Sequence, residues 1–298
     1  MKVDKRVLVT GGTGFVGTRL RSALAARGHW VSIATRTPKA QRALQAGIEY
    51  VPWLPDLAKY DAVVHLAGAG LFERRWSEAY KSEIRSSRVD STRTLVEALA
   101  AASKRPAVLI SGSAVGIYGD RGAVELSESA SSGDDFLASV CKDWEREAER
   151  ATALGMRTVL LRTGVVLGQA GGALAALLTP FKLGLGGPIG SGAHWMSWIH
   201  IDDLVGLIVA AIDDPRFQGP LNGVAPGACT NKTFSVSLGR ALHRPALLPL
   251  PPFALRAMLG EVATVLTSSQ RCVPARALSA GYVFKFSDID ACLRDLSK

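Results

Sequence analysis

Short apolar runs alternate with longer amphipathic stretches over most of the chain. Val7-Leu8-Val9-Thr10 is an apolar run that stops at a glycine cluster, the pattern of a buried strand. Gly11-Gly12-Thr13-Gly14-Phe15-Val16-Gly17 follows, and Thr18 to Arg27 then reads as an amphipathic helix terminated by Gly28. Further strand-like runs are Trp30 to Thr35, Asp61-Ala62-Val63-Val64-His65-Leu66-Ala67-Gly68, Ala107-Val108-Leu109-Ile110 and Val159-Leu160-Leu161. Leu204 to Ile212 reads as a helix capped by Asp202 or Asp203. A proline-rich stretch from His243 leads into a helix over Ala254–Leu266. Strands alternating with helices predict an α/β fold around a mainly parallel sheet.

Strand, glycine turn, helix is the order that a dinucleotide site requires. Glycines 12, 14 and 17 fit GxGxxG, and glycines 11, 14 and 17 fit GxxGxxG. They allow a tight turn, close approach of backbone to a pyrophosphate, and close packing of helix on strand. Free N–H groups and the helix dipole then hold the phosphates. The cofactor contacts expected are Gly11, Thr13, Gly14, Phe15, Val16 and Gly17, with Leu66, Ala67 and Gly68 bordering the same ligand from a later strand end. An NAD-type site places an acid about twenty residues after the turn, to bond ribose hydroxyls. Here Arg36 stands 19 residues after Gly17, and no Asp or Glu occurs between Asp4 and Glu49. Arg36, with Thr35, Arg19 and Lys39 nearby, suits a 2′-phosphate, so the expected cofactor is NADP(H). His65 lies within its strand and reads as a core residue.

Composition narrows the classes. The chain has 298 residues, 48% of them apolar and 20% charged, which suits a packed globular protein and excludes disorder. Four cysteines at 141, 229, 272 and 292 form no CxxC pair and have no histidine at ligand spacing, so no metal site is expected. Such thiols fit a reducing compartment, and the protein reads as soluble and cytoplasmic. Thr163 to Phe181 is 19 residues without a charge, but four glycines, Gln169 and Pro180 argue against a membrane span. The formal charge is +9, yet residues 1–150 hold 22 basic and 18 acidic groups, and no Lys/Arg run exceeds two. That spread does not suit nucleic acid. The acid-free stretches 150–201 and 215–260 predict a locally positive cleft that favours an anionic ligand.

The chain resembles the short-chain dehydrogenase/reductase superfamily in its extended, epimerase-like form. Most closely it is similar to an atypical epimerase-family branch with a small C-terminal domain of unknown function. The resemblance rests on Arg74-Arg75-Trp76, Ile84-Arg85-Ser86-Ser87-Arg88, Ser113-Ala114-Val115-Gly116-Ile117-Tyr118-Gly119 and Leu161-Arg162-Thr163-Gly164-Val165-Val166-Leu167. It continues through Phe181 to Pro188, Ser197 to Leu204, Asn222 to Pro226 and Ala280 to Phe284. It implies a Rossmann-type doubly wound parallel sheet with a smaller C-terminal substrate lobe. The division expected is a core over 1–167, lobe insertions interleaved with core elements over 168–242, and a helical appendage over 243–298. It also implies that Glu83, Arg88 and Val166 lie near the cofactor.

In that superfamily a Ser or Thr orients the reacting oxygen, a Tyr moves the proton, and a Lys four residues on lowers the phenol's pKa. Ser113 matches the first role. None of the five tyrosines has Lys at i+4, and aligning Glu145 with the family's helix glutamate puts Leu137 and Cys141 at the Tyr and Lys positions. Tyr118 is the nearby phenol, so Ser113 and Tyr118 are the candidate catalytic residues. Two functions stay open: an NADP(H)-dependent oxidoreductase or epimerase acting on a small carbonyl or hydroxyl compound, and a non-catalytic NADP(H)-binding sensor or regulator. The glycine-rich loop from Phe181 to His194, flanked by Trp195 and Trp198, is expected either to close over a ligand or to be a long structural loop. The partners expected are a small molecule and a second copy of the chain as a homodimer, with neither nucleic acid nor membrane.

Overall fold

The computed structural model describes residues 4–37, 47–169 and 171–298, so Lys39 lies outside the described residues. The first apolar run forms β1 (Arg6–Thr10), which passes through the glycine turn into α1 (Phe15–Ala25), β2 (Trp30–Thr35) and β3 (Ile48–Pro52). Then come β4 (Ala62–His65), α2 (Glu78–Ala101), β5 (Val108–Ala114), a short β6 (Glu125–Leu126), α3 (Phe136–Glu149) and β7 (Arg157–Thr163). The second half holds β8 (Val165–Gly168), α4 (Gly172–Lys182), β9 (Trp195–Met196), β10 (Trp198–His200), α5 (Ile201–Asp213), β11 (Gly219–Gly223), β12 (Cys229–Thr230) and α6 (Asn231–Ala241). It ends with α7 (Pro252–Leu259), α8 (Ala263–Thr267), β13 (Arg271–Cys272), α9 (Ala275–Ser279) and α10 (Ile289–Leu296).

Seven strands pair in parallel in the order β11-β7-β5-β4-β1-β2-β3. From β1 the chain moves one way to β2 and β3, then returns to lay β4 on the other side. The sheet therefore divides between β1 and β4, the switch point at which a doubly wound fold binds its ligand. Helices cover both faces, so Val7, Leu8 and Val9 are all fully buried, which is why such strands read as continuous apolar runs. Local chemistry sets the helix starts. The Ser77 side chain accepts from Tyr80 N at the head of α2, and that of Asp135 accepts from Ala138 N at the head of α3.

The smaller lobe has its own core around Leu174, Phe181, Trp198, Phe234 and Leu293. α10 joins it by an i, i+3, i+4, i+7 face of Ile289, Cys292, Leu293 and Leu296. The tail is also tied to the main core, since Ala277 and Ala280 are buried in it and β13 pairs with β6. The expected helix over 254–266 is two helices separated at Gly260 (φ +71°). The uncharged stretch from Thr163 becomes β8 and an 11-residue helix, and no described helix is long and apolar enough to cross a membrane.

Candidate functional site

Gly11 takes φ +68°, and a Cβ there would lie 2.7 Å from the Leu66 carbonyl carbon, so the turn folds directly against the end of β4. At Gly17 a Cβ would lie 2.6 Å from the Gly12 Cα and closer still to the Gly11 carbonyl oxygen, which is how α1 packs onto the turn. Gly14 differs: a Cβ there would meet only Gly11 O, at 3.3 Å. Gly14 is also the N-cap of α1, with no side-chain cap and no acid in the first turn. The helix starts at Phe15, three residues before its sequence-based start, so its open N–H groups belong to the glycine turn itself.

Gly11, Gly14, Phe15, Val16, Gly17 and Leu66 line one cavity of about 270 Å³, together with Gly112, Ser113, Trp144, Leu161, Thr163 and Leu204. Thr13 is exposed on the turn, and Ala67 N donates to Thr10 Oγ1 at 3.3 Å beside exposed Gly68. The β1–β2 register pairs Thr10 with Ala34, which sets Thr35 and Arg36 beside the turn. Arg36 is exposed and makes no ion pair among the described residues. Arg19 is directed elsewhere: its Nε donates to Asp202 Oδ1 at 2.7 Å, so the expectation that it joins Arg36 is corrected.

Arg88 lies under the Gly68-Ala69 segment, donating to Ala69 O at 2.9 Å and Ile84 O at 3.0 Å, with its guanidinium 5.5 Å from the centre of the Trp144 ring. Burial pushes its pKa down, and no carboxylate pairs with it among the described residues. Glu83 faces outward toward Arg74 at 3.5 Å and is not among the cavity's lining residues. Val166 sits in β8, paired in register with Ile199 of β10.

Ser113, at the end of β5, is 5% exposed and its Oγ donates to Glu145 Oε1 at 2.6 Å. Arg162 grips the same carboxylate with two 2.8 Å bonds, Nε to Oε1 and Nη2 to Oε2. Burial opposes the Arg162 charge, but Glu145 outweighs it and raises the guanidinium pKa. Arg162 Nη1 donates to the Tyr118 hydroxyl at 3.0 Å, and Tyr118 donates in turn to Asn222 Oδ1 at 2.7 Å. Asn222 N and Arg276 N both donate to Glu128 Oε1.

Tyr118 is the other catalytic candidate read from the sequence. Its side chain is fully buried in the turn after β5, and burial pushes its pKa up to about 12 despite Arg162. It does not line the cavity. Cys141, on α3, is likewise buried, with its thiol pushed up to about 12. His65 is fully buried between Thr10 Oγ1 at 2.7 Å and Thr92 Oγ1 at 3.1 Å, and burial lowers its pKa to about 4.

Other expectations are revised by packing. The cap of α5 is His200, whose Nδ1 accepts from Asp202 N at 3.1 Å. Asp203 accepts from Lys285 N and Phe286 N and anchors the tail. The 181–194 segment is a packed loop: Leu248 N donates to Gly186 O at 3.3 Å, Leu250 N to Pro188 O at 2.8 Å, and Trp198 is fully buried. The acid-free stretches make no positive wall from Arg157, Arg162, Arg216 and Arg240. Arg157 binds the Ala211 and Phe217 carbonyls, while the other three pair with Glu145, Asp214 and Asp290. Sequence reasoning missed the Glu145–Arg162 pair and Asn222. The available signal was a charged or polar residue inside an apolar strand, which must find a buried partner.

The family model described as NAD dependent epimerase/dehydratase matches residues 7–222, and the one described as DUF1731, a domain of unknown function, matches 250–296. The Bos taurus epimerase family protein SDR39U1 is 42% identical over 300 residues, covering 98% of this chain and 99% of its own length. The chloroplastic SDR39U1 homolog of Arabidopsis thaliana is 42% identical over 298 residues, covering 97% of this chain and 85% of its own. The crystal structure of human SDR39U1 with NADPH matches with 38% identity and a TM-score of 0.90, over 98% of this chain and 99% of that one.

Proposed function

The chain belongs to the NAD dependent epimerase/dehydratase family, and on that premise we propose that it binds NADP(H) at the glycine turn and exchanges hydride with a small carbonyl or hydroxyl compound held at Ser113. One observation carries the reading: the turn, the end of β4 and Ser113 line the same cavity. The residues fit a dinucleotide. Gly14 leaves the backbone open to a phosphate, the uncapped start of α1 offers N–H donors, and Arg88 adds a cation with no carboxylate partner among the described residues. Arg36 would hold the 2′-phosphate that distinguishes NADP(H) from NAD(H), as it pairs with no acid among the described residues. When bound, the nicotinamide supplies or accepts the hydride. Ser113 orients the reacting oxygen, Glu145 and Arg162 fix Ser113, and Trp144 and Leu161 keep water from that wall. All four cysteines are free and buried, which fits a reducing compartment such as the cytoplasm.

A second reading, an NADP(H)-binding sensor, draws on the absence of any tyrosine or lysine among the cavity's lining residues. Fluorescence titration of purified protein, then stopped-flow of bound NADPH with a carbonyl panel and of bound NADP+ with the matching alcohols, separates the two. Oxidation or reduction of the cofactor supports hydride exchange; tight binding with silence across both panels overturns it in favour of the sensor. Arg36→Asp should weaken NADPH by roughly 10- to 100-fold, the worth of a charge-assisted bond, and improve NADH. Unchanged NADPH affinity would place the 2′-phosphate elsewhere.

A further inference from the structure

The proton positions around Ser113 follow from its neighbours. Asn222 Nδ2 donates to Val273 O at 2.9 Å and Leu126 O at 3.3 Å, which leaves its Oδ1 as the acceptor. Tyr118 must then donate to Oδ1, and it accepts from Arg162. Both Glu145 oxygens accept from Arg162, so in the 2.6 Å contact with Ser113 the proton is the serine's. A hydroxyl carries one proton. Ser113 therefore has only lone pairs left to offer a ligand in the cavity that it lines. Thr163, the other hydroxyl of that lining, donates to Leu161 O at 3.3 Å.

We propose that Ser113 selects its ligand by accepting a hydrogen bond, so that the compound held there is an alcohol rather than a ketone or aldehyde. The inference rests on the NADP(H) reading and names the substrate class of that site. A carbonyl oxygen at the same place would set lone pair against lone pair in a wall where Ser113 is 5% exposed, with little water to intervene. Glu145 acts as the positioning residue: the grip of Arg162 keeps its carboxylate an acceptor, and that sets the direction of the serine's bond.

The test uses the full chain saturated with NADP+ and matched small pairs such as cyclohexanol and cyclohexanone, with binding read by ligand-observed NMR. The alcohol should bind roughly tenfold tighter than its ketone. Ser113→Ala keeps the Glu145–Arg162 pair, and it should remove this preference by weakening the alcohol alone. A merely structural serine would weaken both members equally, which overturns the inference. Ketone preference, equal affinity, or no alcohol binding by the saturated protein overturns it too. A protein that fails to bind NADP+ overturns the cofactor reading and this inference together; one that binds NADP+ and prefers ketones overturns this inference alone.

Discussion

Adding a single methyl at Gly14 or at Gly17 separates cofactor binding from folding. At Gly14 the backbone has φ −75° and ψ 179°, which alanine adopts freely, and the new Cβ meets only Gly11 O at 3.3 Å. Gly14→Ala should therefore change stability by less than about 1 kcal/mol. The methyl stands on the open side of the turn, where a phosphate must approach the backbone. It should weaken NADPH by roughly 10- to 100-fold, matching an overpacking cost of about 1–3 kcal/mol. At Gly17 the Cβ would press on backbone on both sides, Gly12 Cα at 2.6 Å and the nearer Gly11 O, with no flexible side chain to yield. Gly17→Ala should cost about 3 kcal/mol of stability without any cofactor, the upper end of that range. Denaturant unfolding without cofactor, followed by fluorescence titration with NADPH, measures both. At about 100 times its Kd, NADPH stabilises the natural protein by about 2.7 kcal/mol, and Gly14→Ala should retain about half of that or less. Natural affinity in Gly14→Ala, or natural stability in Gly17→Ala, would refute the assignment of these glycines.

Two further outcomes follow from the buried polar groups. His65 has its pKa lowered by burial to about 4 against about 6.5 unfolded, so between those values the unfolded chain binds the extra proton. Stability should fall by about 3 kcal/mol as pH drops from 6.5 to 4, and urea unfolding of His65→Asn should show a correspondingly smaller loss over that window. Equal losses in both proteins would show that His65 is not held neutral. Tyr118→Phe leaves Asn222 Oδ1 buried without its donor and should cost about 1–3 kcal/mol, while NADPH affinity and any hydride exchange stay unchanged. Loss of exchange with stability intact would restore Tyr118 as a proton donor.

The fold was legible because its signals are local. Val7 to Thr10 had to be a buried strand whatever surrounded it, and Gly11 and Gly17 report backbone conformation and close approach that no other residue tolerates. The place of Arg36 just after β2 was equally legible, since the twenty-residue spacing from turn to second strand end is built into the β-α-β unit. The chemistry beside that turn was less so. None of the five tyrosines has Lys at i+4, yet nothing in the sequence showed that Tyr118 would be enclosed.

Residues far apart in the chain decided the rest. Ser113, Glu145, Arg162 and Asn222 come from β5, α3, β7 and β11, and only the sheet order brings β7 between β5 and β11. The sequence alone determined that this chain builds a strand–turn–helix for a dinucleotide and that an arginine, Arg36, rather than an acid follows the second strand. Only the tertiary structure decided which carboxylates the arginines pair with and which way the Ser113 proton points. A strand or turn is set by neighbours a few residues away, whereas the partner of a buried charge or hydroxyl is whichever group packing brings within about 3 Å.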